Sequence, residues 1–65
     1  MMTAKERMRF AKDAMAGDPY ALKRITEEFG APKSLLDLYD HQKAALRHMT
    51  PQERAEDYAE ALGGN

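Results

Sequence analysis

Apolar residues recur three or four positions apart along most of the chain, which is the spacing of one face of an α-helix. The pattern is interrupted at Gly17, at Gly30 and at Thr50-Pro51, residues typical of helix ends and helix starts. These interruptions predict four helices, at about 4–16, 19–29, 35–49 and 51–62. We therefore predict one all-α domain over residues 1–65, a small three- or four-helix bundle.

Helix-capping residues precede each predicted helix. Asp18-Pro19 offers a capping carboxylate followed by proline at the first helical position, before the second helix. Before the other three helices, a hydroxyl residue and an acidic residue stand three positions apart, as in a capping box: Thr3 with Glu6, Ser34 with Asp37, and Thr50 with Glu53. The helix starts are therefore predicted by local hydrogen bonding alone.

A helical periodicity of 100° per residue predicts which side of each helix faces the core. In order along the chain, these residues are Ala4, Met8, Ala11, Ala14 and Met15; Ala21, Leu22, Ile25 and Phe29; Leu35, Leu38, Tyr39, Ala45, Leu46 and Met49; and Ala55, Tyr58, Ala59 and Leu62. Together they predict a single core shared by all four helices.

Composition limits the classes of protein that fit this pattern. With 65 residues and no cysteine, the chain has a small core and no disulfide or thiolate metal site to support it. No apolar run approaches the roughly 18 residues that cross a bilayer, so we expect no membrane attachment and a cytoplasmic location. The net charge is −1, with seven basic and five acidic residues up to residue 33 and three basic and six acidic residues after it.

The stretch around Gly30 raises the question of DNA binding. Ile25, Phe29, Gly30, Leu36 and Tyr39 resemble the general helix-turn-helix pattern, in which apolar residues on both sides of a glycine pack two helices together. This resemblance implies a helix-turn-helix-like corner. The outward side of the third helix is predicted to begin with acidic residues, which phosphate would repel, so sequence-specific DNA binding is not favoured.

Residues suited to catalysis or metal binding are few. Asp37, His41 and His48 lie on one side of the third helix, but they extend over about three turns, too far for one ion to bridge. The chain has no cysteine nucleophile and no glycine-rich phosphate loop, and Ser34 is interpreted as a cap. We expect no enzymatic activity, no cofactor and no metal.

The remaining signals indicate contact with another protein or with a second copy of the chain. The candidate residues are an acidic ridge on the fourth helix (Glu53, Glu56, Asp57 and Glu60), the methionines of the first helix (Met8 and Met15) and the unplaced Leu36. We expect a small regulator, adaptor or inhibitor of bacterial or phage type. The alternatives are a dimeric helix-turn-helix nucleic-acid-binding regulator, using Lys5, Arg9, Lys12, Lys33 and Arg47, and a subunit that folds only within a larger complex.

Overall fold

A computed structural model describes residues 1–63 of the chain and contains four α-helices: α1 (Ala4–Met15), α2 (Pro19–Phe29), α3 (Leu35–His48) and α4 (Pro51–Ala61). This confirms the predicted all-α fold. Every helix begins at the predicted residue, and α1, α3 and α4 each end one residue earlier than predicted. Residues 64 and 65, which complete the predicted domain, lie outside the described range.

Two of the three predicted capping boxes form. The Thr3 hydroxyl accepts from the Glu6 amide at 3.1 Å, while the Glu6 carboxylate accepts from the Thr3 amide at 2.9 Å. Thr50 and Glu53 repeat this arrangement at the start of α4. The prediction for Ser34 is wrong, because its side chain makes no capping hydrogen bond. The carboxylate of Asp37 instead accepts from the Lys33 amide at 2.7 Å.

Gly17 ends α1 in a conformation that other residues rarely adopt, with φ at 99°. Its amide donates to the Ala14 carbonyl at 3.0 Å, and the Asp18 amide donates to the Asp13 carbonyl at 3.0 Å, so carbonyls of the last turn are satisfied. The Asp18 carboxylate then accepts from the Tyr20 amide and starts α2. The chain thereby reverses direction within a few residues.

The helix α1 is the centre of the fold, because α2 and α3 both pack against it more closely than against each other. One buried cluster joins the three helices and the N-terminal segment through Met2, Ala11, Ile25 and Leu38. A second cluster joins α1 to the end of α3 through Met8, Ala45 and Met49. Fully buried Ala11 and Ala45 allow the helix backbones to approach closely, and the resulting core is small.

The predicted core faces are only partly correct. Helix α2 buries Ala21 and Ile25, while Leu22 and Phe29 remain substantially exposed. The turn at Gly30 is present, but Leu36 and Tyr39 are exposed instead of packing on α2 as the helix-turn-helix pattern implied. The fold is therefore a three-helix core built on α1, with α4 attached beside it.

Candidate interaction surface

Helix α4 is attached to α1 by charged side chains. Lys5 Nζ lies 3.1 Å from Glu56 Oε1, Lys12 Nζ lies 2.9 Å from Asp57 Oδ2, and Arg9 pairs with Glu60. Lys5 also approaches Glu60, at 3.8 Å. We call these six residues the α1–α4 ion-pair cluster. It matches three basic residues on one edge of α1 to three acidic residues on one face of α4.

These contacts shift the ionisation of the groups that form them. The hydrogen bond from Lys5 lowers the pKa of Glu56 and raises that of Lys5, and a hydrogen bond to Glu60 raises the pKa of Arg9. All three pairs nevertheless remain partly exposed to water. Exposed ion pairs contribute little to stability because water and salt screen them. The attachment of α4 is therefore weak compared with the packing of α1, α2 and α3.

The apolar side of α4 faces solvent. At 100° per residue, Ala55, Tyr58 and Leu62 lie about 180° around the helix axis from the acidic residues of the ion-pair cluster. Tyr58 is 67% exposed, Leu62 is 69% exposed, and no residue from 51 to 61 is buried. The prediction that Ala55, Tyr58, Ala59 and Leu62 face the core is wrong, because the charged face holds α4 against α1. We call Ala55, Tyr58 and Leu62 the α4 stripe.

Helix α3 also carries an apolar row that the described residues leave uncovered. Leu35, Tyr39 and Leu46 share one side of the helix and are 62%, 50% and 46% exposed. The neighbouring Leu38, Ala45 and Met49 are buried against α1. The wide apolar face predicted for this helix is thus divided lengthwise, and only one half reaches the core. We call Leu35, Tyr39 and Leu46 the α3 stripe.

The residues predicted to bind a partner do not lie together on one accessible surface. Met8 is buried in the core against Ala45 and Met49, so its side chain does not belong to an accessible surface. Met15 is exposed at the end of α1, where its sulfur accepts a hydrogen bond from the side-chain amide Nε2 of Gln42. Leu36 is exposed beside the α3 stripe. The predicted acidic ridge is not a free surface: Glu53 caps α4, while Glu56, Asp57 and Glu60 pair with α1.

The basic residues named for nucleic-acid binding do not form one surface. Lys5, Arg9 and Lys12 belong to the α1–α4 ion-pair cluster. Lys33 lies in the turn before α3, and Arg47 lines an open cleft next to that turn. The acidic Asp37 and Asp40 line the same cleft. Arg7 and Lys43 line this cleft as well, so it carries charges of both signs, while Lys5, Arg9 and Lys12 are paired with α4.

A second polar contact, which the sequence did not reveal, joins the three core helices. Arg7 of α1 donates from Nε and Nη2 to His41 Nδ1 of α3, at 3.1 and 2.7 Å. The Arg7 guanidinium lies 4.2 Å from the centre of the Phe29 ring, and the His41 ring lies 4.8 Å from the same centre. Burial, together with the charge of Arg7, lowers the pKa of His41. In this geometry His41 is neutral, with Nδ1 as the acceptor.

The described chain shows no other chemical centre. Within residues 1–63, no three histidine, cysteine or acidic side chains lie close enough together to hold a metal ion. Asp37 is bound to the Lys33 amide and His41 to Arg7, which separates the side chains considered above for metal binding. None of the helices in this range has the length and apolar character that a bilayer crossing requires.

The ion-paired contact between α1 and α4 has a signal in the sequence. The spacing of Lys5, Arg9 and Lys12 places three basic residues on one edge of a helix, and the fourth helix offers acidic residues at matching intervals. That complementarity could have predicted an ion-paired α1–α4 contact. The contact of Arg7 with His41 left no comparable signal, because one arginine and one histidine on different helices form no repeated spacing that marks them as partners.

Comparisons with known proteins add no relative. No protein-family model matches the chain, and neither a curated protein nor a solved structure is significantly similar to it.

Proposed function

We propose that this protein is a non-enzymatic protein–protein interaction module whose contact surface consists of the α3 and α4 stripes. The observation that carries the proposal is the orientation of α4. A helix of a small domain normally buries its apolar side, but here α4 pairs its acidic side with α1 and exposes Tyr58 and Leu62. Large exposed apolar side chains at helical spacing are typical of surfaces that bind other proteins.

The size of the core supports this proposal. Within residues 1–63, Ile25 is the largest side chain that is fully buried, whereas the two stripes hold five large apolar side chains that are each between 46% and 69% exposed. Burial of such side chains is the main favourable term in protein association. Tyr39 and Tyr58 add aromatic rings with a polar group, a combination enriched at interfaces.

The ion pairs between α1 and α4 weigh against the alternative function, nucleic-acid binding. Of the five basic residues assigned to it, Lys5, Arg9 and Lys12 form ion pairs with α4. These side chains are partly exposed, but a phosphate that reached them would compete with the carboxylates of α4 for the same charges.

Site-specific photo-crosslinking tests the proposal. A benzophenone amino acid replaces Tyr58 in the α4 stripe or, as a control, the exposed Lys23 on α2. After illumination in an extract of the source cells, we expect a discrete adduct from position 58 only. An excess of the unlabelled chain should compete for this adduct, while the chain with Leu62→Glu should not. The proposal is wrong if positions 58 and 23 give the same adducts, or if the Leu62→Glu chain competes equally well.

A further inference from the structure

Neither the α3 stripe nor the α4 stripe is covered by another residue in the range 1–63. Leu35 to Leu46 extends over 11 residues and Ala55 to Leu62 over seven, so the stripes are about 16 and 10 Å long at 1.5 Å per residue. The acidic face of α4 is held on α1, and α4 makes little contact with α3 beyond the Met49-Thr50 connection. Each stripe is thus an apolar helix face without a packing partner, and the other stripe is a helix face of matching apolar character.

We propose that the occupant of this surface is a second copy of the chain, with the α4 stripe of each copy packed on the α3 stripe of the other. This inference rests on the proposed function, because it names the partner of the same surface. A two-fold arrangement forms both contacts at once, since a patch and its complement on one molecule meet their counterparts reciprocally. In such a dimer, the α3 and α4 stripes of both copies are buried.

The available area approaches that of a standard dimer interface. With roughly 200 Å² for a fully exposed large side chain, the measured exposures of Leu35, Tyr39, Leu46, Tyr58 and Leu62 leave about 600 Å² of surface per copy. A standard interface buries about 800 Å² on each partner. The exposed Leu36, beside the α3 stripe, and Ala55 supply further apolar area. The stripes alone therefore provide most of what such an interface needs.

Sedimentation equilibrium of the purified chain is the first test, with a matched pair of variants. Leu46→Glu changes a residue of the α3 stripe that is 46% exposed, and Leu22→Glu changes a residue of α2 that is 42% exposed. We expect the unmodified chain and Leu22→Glu to be dimers, with the dissociation constant raised at least about tenfold by Leu46→Glu and by Leu62→Glu. Circular dichroism establishes that the variants remain helical. Dimers with unchanged affinity in both stripe variants would overturn the inference.

Disulfide exchange tests which stripes contact each other. The chain has no native cysteine, so only the introduced cysteines can form disulfides. Chains with Leu46→Cys and chains with Tyr58→Cys are mixed in a redox buffer, and the mixed and like-with-like disulfides are counted. We expect the mixed product to exceed both like products several-fold. An excess of like-with-like products would overturn the inference, as would a chain that is monomeric at all concentrations. In the latter case, a competed adduct from position 58 would still support binding of a different protein.

Discussion

The attachment of α4 by charge, without apolar burial, leads to a sharp prediction about the Lys12–Asp57 pair. These side chains lie 2.9 Å apart, and the Asp57 side chain is only 15% exposed. Reversing one charge, by Lys12→Glu or by Asp57→Lys, removes an attraction and adds a repulsion. We expect each single reversal to weaken the attachment of α4, and the double reversal to restore it because it re-forms the pair in the opposite sense.

The expected magnitude follows from the partial exposure of the pair. An ion pair of this kind contributes about 0.5–1 kcal/mol, and a like-charge contact costs a similar amount. A single reversal should therefore shift the docking equilibrium of α4 by about 1–2 kcal/mol, which is roughly five- to thirtyfold at 1.4 kcal/mol per factor of ten. Unlike burial of an apolar face, this contribution should also decline as added salt screens the charges.

Amide hydrogen exchange followed by NMR measures this effect locally, because α4 can open without unfolding the rest of the chain. We expect faster exchange from Tyr58 to Ala61 in either single variant and no change at Ile25. Glu28→Lys is the control, since it breaks an ion pair with Arg24 within α2 and should leave α4 unaffected. Unchanged exchange in α4 after both single reversals would refute the reasoning, because another contact would then hold the helix.

Three further predictions concern the three-helix core. Because burial beside Arg7 lowers the pKa of His41, the unfolded chain takes up a proton before the folded chain does as pH falls below about 6.5. The urea concentration at the unfolding midpoint should therefore decrease from pH 7.5 to pH 5.5, and His41→Gln should make this decrease smaller. Met8→Ala should cost about 2–4 kcal/mol of unfolding free energy in urea titrations, whereas Met15→Ala, at an exposed position, should cost under about 1 kcal/mol. Gly17→Ala should lower thermal stability by about 1–2 kcal/mol, since alanine is strained at a φ of 99° and no neighbour lies within 4 Å of the added methyl group.

Each of these core predictions has a result that would contradict it. Equal pH dependence with and without His41 would mean that its contact with Arg7 does not couple protonation to folding. Equal costs at Met8 and Met15 would contradict the burial that separates them. A neutral Gly17→Ala would mean that the chain relaxes to a negative φ there at no cost.

The sequence alone determined where the helices begin and end. Thr3 with Glu6 and Thr50 with Glu53 cap helices through bonds between residues three positions apart, and Gly17 and Gly30 end helices through their own backbone freedom. Such contacts are local, so they can be read from a short stretch without knowledge of the fold. The same locality explains why the starts of α1, α2 and α4 were predicted correctly, whereas the start of α3 was predicted from a Ser34 cap that does not form.

The direction that each helix faces was decided by tertiary structure. Helix α4 has an apolar side and an acidic side, and its own sequence does not say which one meets the rest of the chain. Three basic residues on α1 lie within reach of the acidic side, which leaves Tyr58 and Leu62 exposed. In α3, Leu38, Ala45 and Met49 pack against α1, which leaves the other half of a wide apolar face exposed. Competition between two faces of one helix is settled by residues far away in the chain, so only the assembled fold can show which face remains free.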